Sequence, residues 1–134
     1  MKRQESKVRY YMAFAGKCVL LDDSGSSHLW IVITDGAGIP PQIIMVNVSS
    51  WRFGIDDTCV LQPNDHPFMI RKSVVLYQHA CLFAERMVPT ILRNGIYQPD
   101  ISSDVLQRIC RGLCESPNTP KKIKDFYERY HDHA

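Results

Sequence analysis

The stretch His28-Leu29-Trp30-Ile31-Val32-Ile33-Thr34 decides how this chain is read. It is an almost unbroken apolar run, too short for an ordinary helix and rich in β-branched side chains. Such a run fits a central strand buried on both faces. Asp35-Gly36-Ala37-Gly38-Ile39-Pro40-Pro41 follows as a turn, and Ile43 to Val48 repeats the pattern as a second buried strand. The short connection favours an antiparallel pair, because parallel strands need a long crossover.

Upstream, Lys17 to Leu21 reads as a first strand. Asp22-Asp23-Ser24-Gly25-Ser26-Ser27 then reads as a loop by composition. Residues 1–9 are polar and charged and are expected to form a flexible arm. Downstream, Ser49-Ser50-Trp51-Arg52-Phe53-Gly54 reads as a loop and Thr58 to Leu61 as a short strand. Pro63-Asn64-Asp65-His66-Pro67 breaks that strand, since two prolines so close exclude a helix interior. Ser73 to Phe83 alternates less cleanly, but Val74, Val75, Leu76 and Tyr77 favour a strand. Glu85 to Arg93 fits either a short strand or a single turn, with Pro89 arguing against a long helix.

The C-terminal third changes character. Ile101, Val105, Ile109 and Leu113 recur every four residues, with Leu106 and Cys110 beside them, which makes one helical face. Ser102 or Ser103 can cap that helix, and Asp104 is favourable in its first turn. A second helix is expected from Thr119-Pro120, with Thr119 as N-cap and Pro120 at the first helical position. The expected fold class is therefore α+β in a single domain, 1–134. A mainly antiparallel β body covers 17–93, and a helical C-terminal extension of two helices covers 101–131.

A chain of 134 residues can bury a core without disulfides or metals. Its net charge of +2 neither demands nor excludes a nucleic-acid partner, so any such reading must rest on a local patch. The five cysteines are odd in number and form no Cys-x-x-Cys pair, which argues against a disulfide framework or a zinc site. No cofactor or metal is expected, and reduced thiols fit a cytoplasmic location. Lys17 interrupts the apolar run Tyr10 to Ala15 before it reaches the length of a signal-peptide core. No stretch approaches the roughly 18 apolar residues of a membrane span, so no membrane partner is expected.

Three polar loops carry the candidate chemistry. The first brings Ser26, Ser27 and His28. The second brings Ser49, Ser50, Trp51 and Arg52. The third brings Asp65, His66, Arg71, Lys72 and Ser73. On an antiparallel sheet such loops can converge at one end. A histidine suits acid or base work near neutral pH, and a neighbouring carboxylate such as Asp65 can orient His66. Arg71 and Lys72 can hold a phosphate. RNA cleavage through its own 2′-hydroxyl needs a base, an acid and positive charge on the phosphorane. The plainer alternative is that Asp65 bonds turn amides and His66 caps the loop. Ser49 and Ser50 can bond a phosphate, or only satisfy backbone groups at a strand end. Trp51, Phe53 and Phe68 can stack on unpaired bases, or belong to the core.

With these segments in place, His28 to Thr34 and Ile44-Met45-Val46-Asn47-Val48-Ser49-Ser50 resemble the core of the PemK/MazF-like toxin family, as a divergent branch. Asp57-Thr58-Cys59-Val60-Leu61-Gln62-Pro63-Asn64-Asp65-His66-Pro67-Phe68 adds to the resemblance, which spans roughly residues 17 to 83. The family implies an SH3-like β-barrel shared with the CcdB toxins. It implies a metal-independent endoribonuclease that cleaves single-stranded RNA within a type II toxin–antitoxin system, with an antitoxin protein as partner and a homodimer as the usual assembly. Ser49-Ser50 matches the family's hydroxyl pair after the third strand. His28 stands where the family's catalytic arginine would fall. The expected catalytic set is His28, Ser49, Ser50 and His66. The expected RNA-binding set is Trp51, Arg52, Asp65, Arg71, Lys72 and Ser73. A non-enzymatic CcdB-like toxin, or an interaction module that binds a protein partner, is the alternative.

Overall fold

The computed structural model describes residues 13–23 and 26–131. The expected arm over 1–9, and Ser24 and Gly25 of the first loop, lie outside the described residues. Among the described residues six strands follow one another as β1 (Cys18–Asp23), β2 (Ser26–Val32), β3 (Gln42–Ser50), β4 (Val60–Leu61), β5 (Ser73–Ala84) and β6 (Ile96–Gln98). Among the described residues the α-helices are α1 (Val88–Asn94), α2 (Ser103–Glu115) and α3 (Lys121–Tyr130). The fold is α+β, with one antiparallel sheet in the order β4-β5-β3-β2-β1-β6.

The apolar runs of β2 and β3 lie at the centre of this sheet, and both of its faces are covered. Along β3, Ile44, Val46 and Val48 enter the larger buried cluster, while Ile43 and Met45 enter the smaller one on the opposite face. This is the period-two geometry of a strand with apolar cover on both sides. Val105, Ile109 and Leu113 of α2 and Ile123 of α3 cover the first face. Val88 of α1 and Phe14 cover the second.

The irregular alternation over 73–83 has a cause in the register. Met45 pairs with Cys81 but Asn47 pairs with Leu76, so Tyr77 to Ala80 together oppose Val46. This bulge lets Tyr77 and Ala80 both face the larger cluster, although they are an odd three positions apart.

Several boundaries differ from the sequence expectation. Asp22, Ser26 and Ser27 are strand residues, paired as Asp22↔Ser27 and Asp23↔Ser26, with the Ser27 hydroxyl donating to Asp22. Polar composition marks solvent there, and the strand pairing continues into it. Glu85 to Arg93 holds no strand: a 3-10 turn, Glu85–Met87, runs into α1. Pro89 sits in the first turn of α1, where its missing N–H removes no helical bond. The sheet extends to Gln98 through β6, beyond the expected limit at residue 93. Ser102 caps α2 by accepting from Val105 N–H at 3.3 Å. Thr119 is no cap, because its hydroxyl donates to the Leu113 carbonyl at 2.8 Å and α3 begins at Lys121.

β4 and β6 are opposite edges of the sheet, yet the segments that follow them meet. The ring of His66 bonds the Pro99 carbonyl through Nε2 at 2.6 Å. The sheet is thus curled into a half-barrel around α2, with no strand pairing between β4 and β6 among the described residues. Among the described residues no helix is long and apolar enough to cross a membrane.

Candidate functional site

At one end of the curled sheet β2 begins, β3 ends and β5 begins. Antiparallel pairing forces these termini together: Leu29 faces Val48, and Ser50 faces Ser73. The loop from Pro67 to Arg71 and Gln98 of β6 complete the rim of a groove of about 740 Å³. Leu29, Val48 and Met69 are the buried apolar part of its lining. The polar part comes from all three loops singled out in the sequence: Ser27 and His28, Ser49 and Ser50, Arg71 and Ser73.

His28 is half-buried, and its Nδ1 is buried with no hydrogen-bond partner among the described residues. A buried ring nitrogen left without a partner costs free energy, and His28 as a residue is part of the groove lining. Ser49 is half-buried and Ser50 is exposed. Ser73 is buried and its hydroxyl donates to the Arg71 carbonyl at 3.0 Å, so it holds the loop that carries Arg71. Arg71 is exposed at the rim.

Trp51, Arg52 and Lys72 lie beside the groove and do not line it. The Trp51 N–H donates to the Lys72 carbonyl at 3.0 Å, which carries the β3–β5 ladder one step past Ser50 and Ser73. The Lys72 ammonium then sits over the Trp51 ring, 4.4 Å from its centroid. Phe53 meets the same ring edge-on with centroids 5.0 Å apart. Arg52 is exposed between the two aromatics in sequence.

His66 and Asp65 belong elsewhere. His66 is 3% exposed and is absent from the groove lining. Its Nδ1 accepts from Phe68 N–H at 3.0 Å, so the hydrogen-bond network places the proton on Nε2, which donates to Pro99. Both nitrogens are engaged, so the His66 ring clasps together the segments that follow the two edge strands. Asp65 accepts from the Arg108 guanidinium through both oxygens at 3.0 Å, and from Gln62 N–H at 2.7 Å. The Arg108 hydrogen bonds hold its carboxyl below the usual carboxylate range, against a smaller opposing effect of burial. The same guanidinium donates to the Val60 carbonyl at 2.9 Å. Asp65 is therefore an anchor to α2 and is not part of the groove lining. Sequence gave no signal for Arg108, which lies on a helix far along the chain.

Among the described residues no three His, Cys, Asp or Glu side chains gather into a metal site. Burial pushes the Cys18 thiol up to about 12 and the Cys110 thiol up to about 11. Neither is a thiolate at neutral pH. No family model, no curated protein and no solved structure matches this chain.

Proposed function

We propose that the protein is an endoribonuclease that cleaves single-stranded RNA without a metal, with His28 and Arg71 at its reacting centre. The half-barrel is taken as a divergent PemK/MazF-like, SH3-like body. One observation carries this reading: His28, Arg71 and the Ser49-Ser50 hydroxyls, far apart in sequence, line one groove. RNA suits such a site because its own 2′-hydroxyl is the nucleophile, leaving proton transfer and charge stabilisation to the protein.

His28 takes the 2′-hydroxyl proton as the 2′-oxygen bonds to the adjacent phosphorus. The bond from phosphorus to the 5′-oxygen breaks, leaving a 2′,3′-cyclic phosphate. Solvent protonates the departing 5′-oxygen and later receives the proton held by His28. Arg71 faces the charge that develops on the phosphorane, and Ser49 and Ser50 donate to its non-bridging oxygens. His28 occupies the sequence position of the family arginine, so the cation is supplied from a different loop. In this reading the chain is a cytoplasmic toxin, and an antitoxin protein covering the groove silences it.

The test is incubation of the purified protein with single-stranded RNA in EDTA. The expected products carry 2′,3′-cyclic phosphate ends. Intact RNA across a range of sequences would overturn the reading. A second reading has its own observation: Phe53 is 91% exposed and Ile70 79% exposed near the groove. Exposed apolar side chains of that kind suit a protein partner, as in a CcdB-like toxin. That reading expects growth arrest on induced expression with cellular RNA intact.

A further inference from the structure

We infer that Phe53, Trp51 and Lys72 form a stacking subsite for one unpaired nucleobase, which holds the strand beside the groove. This rests on the single-stranded RNA reading and names how the strand is gripped outside the reacting centre.

Phe53 is 91% exposed, a position that hydrophobic burial alone does not favour for so large an apolar side chain. It is nevertheless braced, because its ring packs against Trp51. Trp51 is in turn fixed by its backbone bond to Lys72 and by the Lys72 ammonium over its ring. A braced aromatic with a free face loses little freedom when a base stacks on it. The charge complements a polyanion: Lys72 is at the stack, Arg52 lies between the two aromatics in sequence and is exposed, and Arg71 precedes Lys72 in the chain and lines the groove. The nearest carboxylate in sequence order, Asp56, is turned into hydrogen bonds with Ser116, Asn118 and Thr58. The platform begins at Trp51, one residue past Ser50 of the groove lining, and Lys72 lies between Arg71 and Ser73, which also line the groove. Stacking on a π-face is tolerant of base identity, so the subsite selects an unpaired base and not a particular sequence.

The test uses fluorescence anisotropy with two labelled strands of equal length. One is a 2′-O-methyl oligonucleotide, which lacks the nucleophile and cannot be cut. The other has the same backbone with abasic sites throughout. Phe53→Ala is expected to weaken binding of the base-bearing strand by about tenfold, within the usual range for one stacked base. It is expected to leave the abasic strand unchanged, and Phe53→Trp should restore affinity. Equal affinity of the wild type and Phe53→Ala for the base-bearing strand would overturn the subsite even if the wild type cleaves RNA. Phe53-dependent binding without any cleavage supports the subsite and removes the nuclease reading. Failure of the wild type to bind the base-bearing strand overturns the subsite and leaves Phe53 to a protein contact.

Discussion

Two histidines of the same chain have opposite surroundings. His28 lines the groove with a ring nitrogen that lacks a partner among the described residues, while His66 is buried with both nitrogens engaged. Their substitutions should therefore separate. His28→Ala is expected to lower RNA cleavage by about 10²–10⁴-fold, the usual loss for a general base, with the thermal midpoint little changed. An unaltered cleavage rate would remove His28 from the mechanism. His66→Ala leaves the Phe68 N–H and the Pro99 carbonyl without their partner. It is expected to cost about 1–3 kcal/mol in a urea denaturation series. A variant as stable as the wild type would show that the clasp contributes nothing.

Elements of this fold are tied to one another by carboxylates. Asp65 fixes the turn after β4 to α2 through Arg108. Asp56 fixes the preceding loop to the end of α2 through Ser116 and Asn118. Burial alone would raise Asp56, but hydrogen bonds from Ser116, Thr58 and Asn118 outweigh it and hold the group at about 2, below an ordinary 3.8. A carboxyl depressed in the folded state adds stability that is fully present above its unfolded pKa. That stability is lost as pH falls through the folded value. The chain should therefore lose stability between roughly pH 4 and pH 2, with Asp56 contributing about 1–2 kcal/mol after allowance for its partial exposure. Urea midpoints at several pH values for the wild type and Asp56→Asn check this. The variant should start less stable at neutral pH and show a shallower acid slope. Parallel slopes would contradict it.

On the scale of the whole molecule, the C-terminal helices are part of the core and not an appendix to it. Ile101, Val105, Ile109, Leu113 and Ile123 share one buried cluster with Leu29, Ile31, Ile44 and Val46. Without them the concave face of the half-barrel would meet water. A chain ending before Ile101 is thus expected to lose cooperative thermal unfolding and to bind a hydrophobic dye. A sharp melt of that truncated chain, followed by circular dichroism, would show that the sheet stands alone. The same closeness explains Gly112: a Cβ there would run into the Tyr77 hydroxyl, which donates to the Ile109 carbonyl at 2.7 Å.

The antiparallel pair β2 and β3, the strand β5 and the amphipathic face of α2 are legible in the chain before any folding. Each is written in a local pattern: an apolar run too short for a helix, a β-branched cluster, or a four-residue recurrence. The sequence also pointed to the three polar loops. Their meeting at one groove was decided by register, which joins Leu29 to Val48 and Ser50 to Ser73 across long stretches of chain. Tertiary structure alone decided that β6 joins the sheet, since Ile96-Tyr97-Gln98 is too short to show a period. It alone separated His28 from His66. Both are histidines next to turn-forming residues, and only the partners brought from Pro99 and Phe68 leave one engaged and the other facing the groove. Local patterns specify which segments form. The pairing of residues distant in sequence specifies which polar atoms are already satisfied, and only the unsatisfied ones are free to meet a ligand.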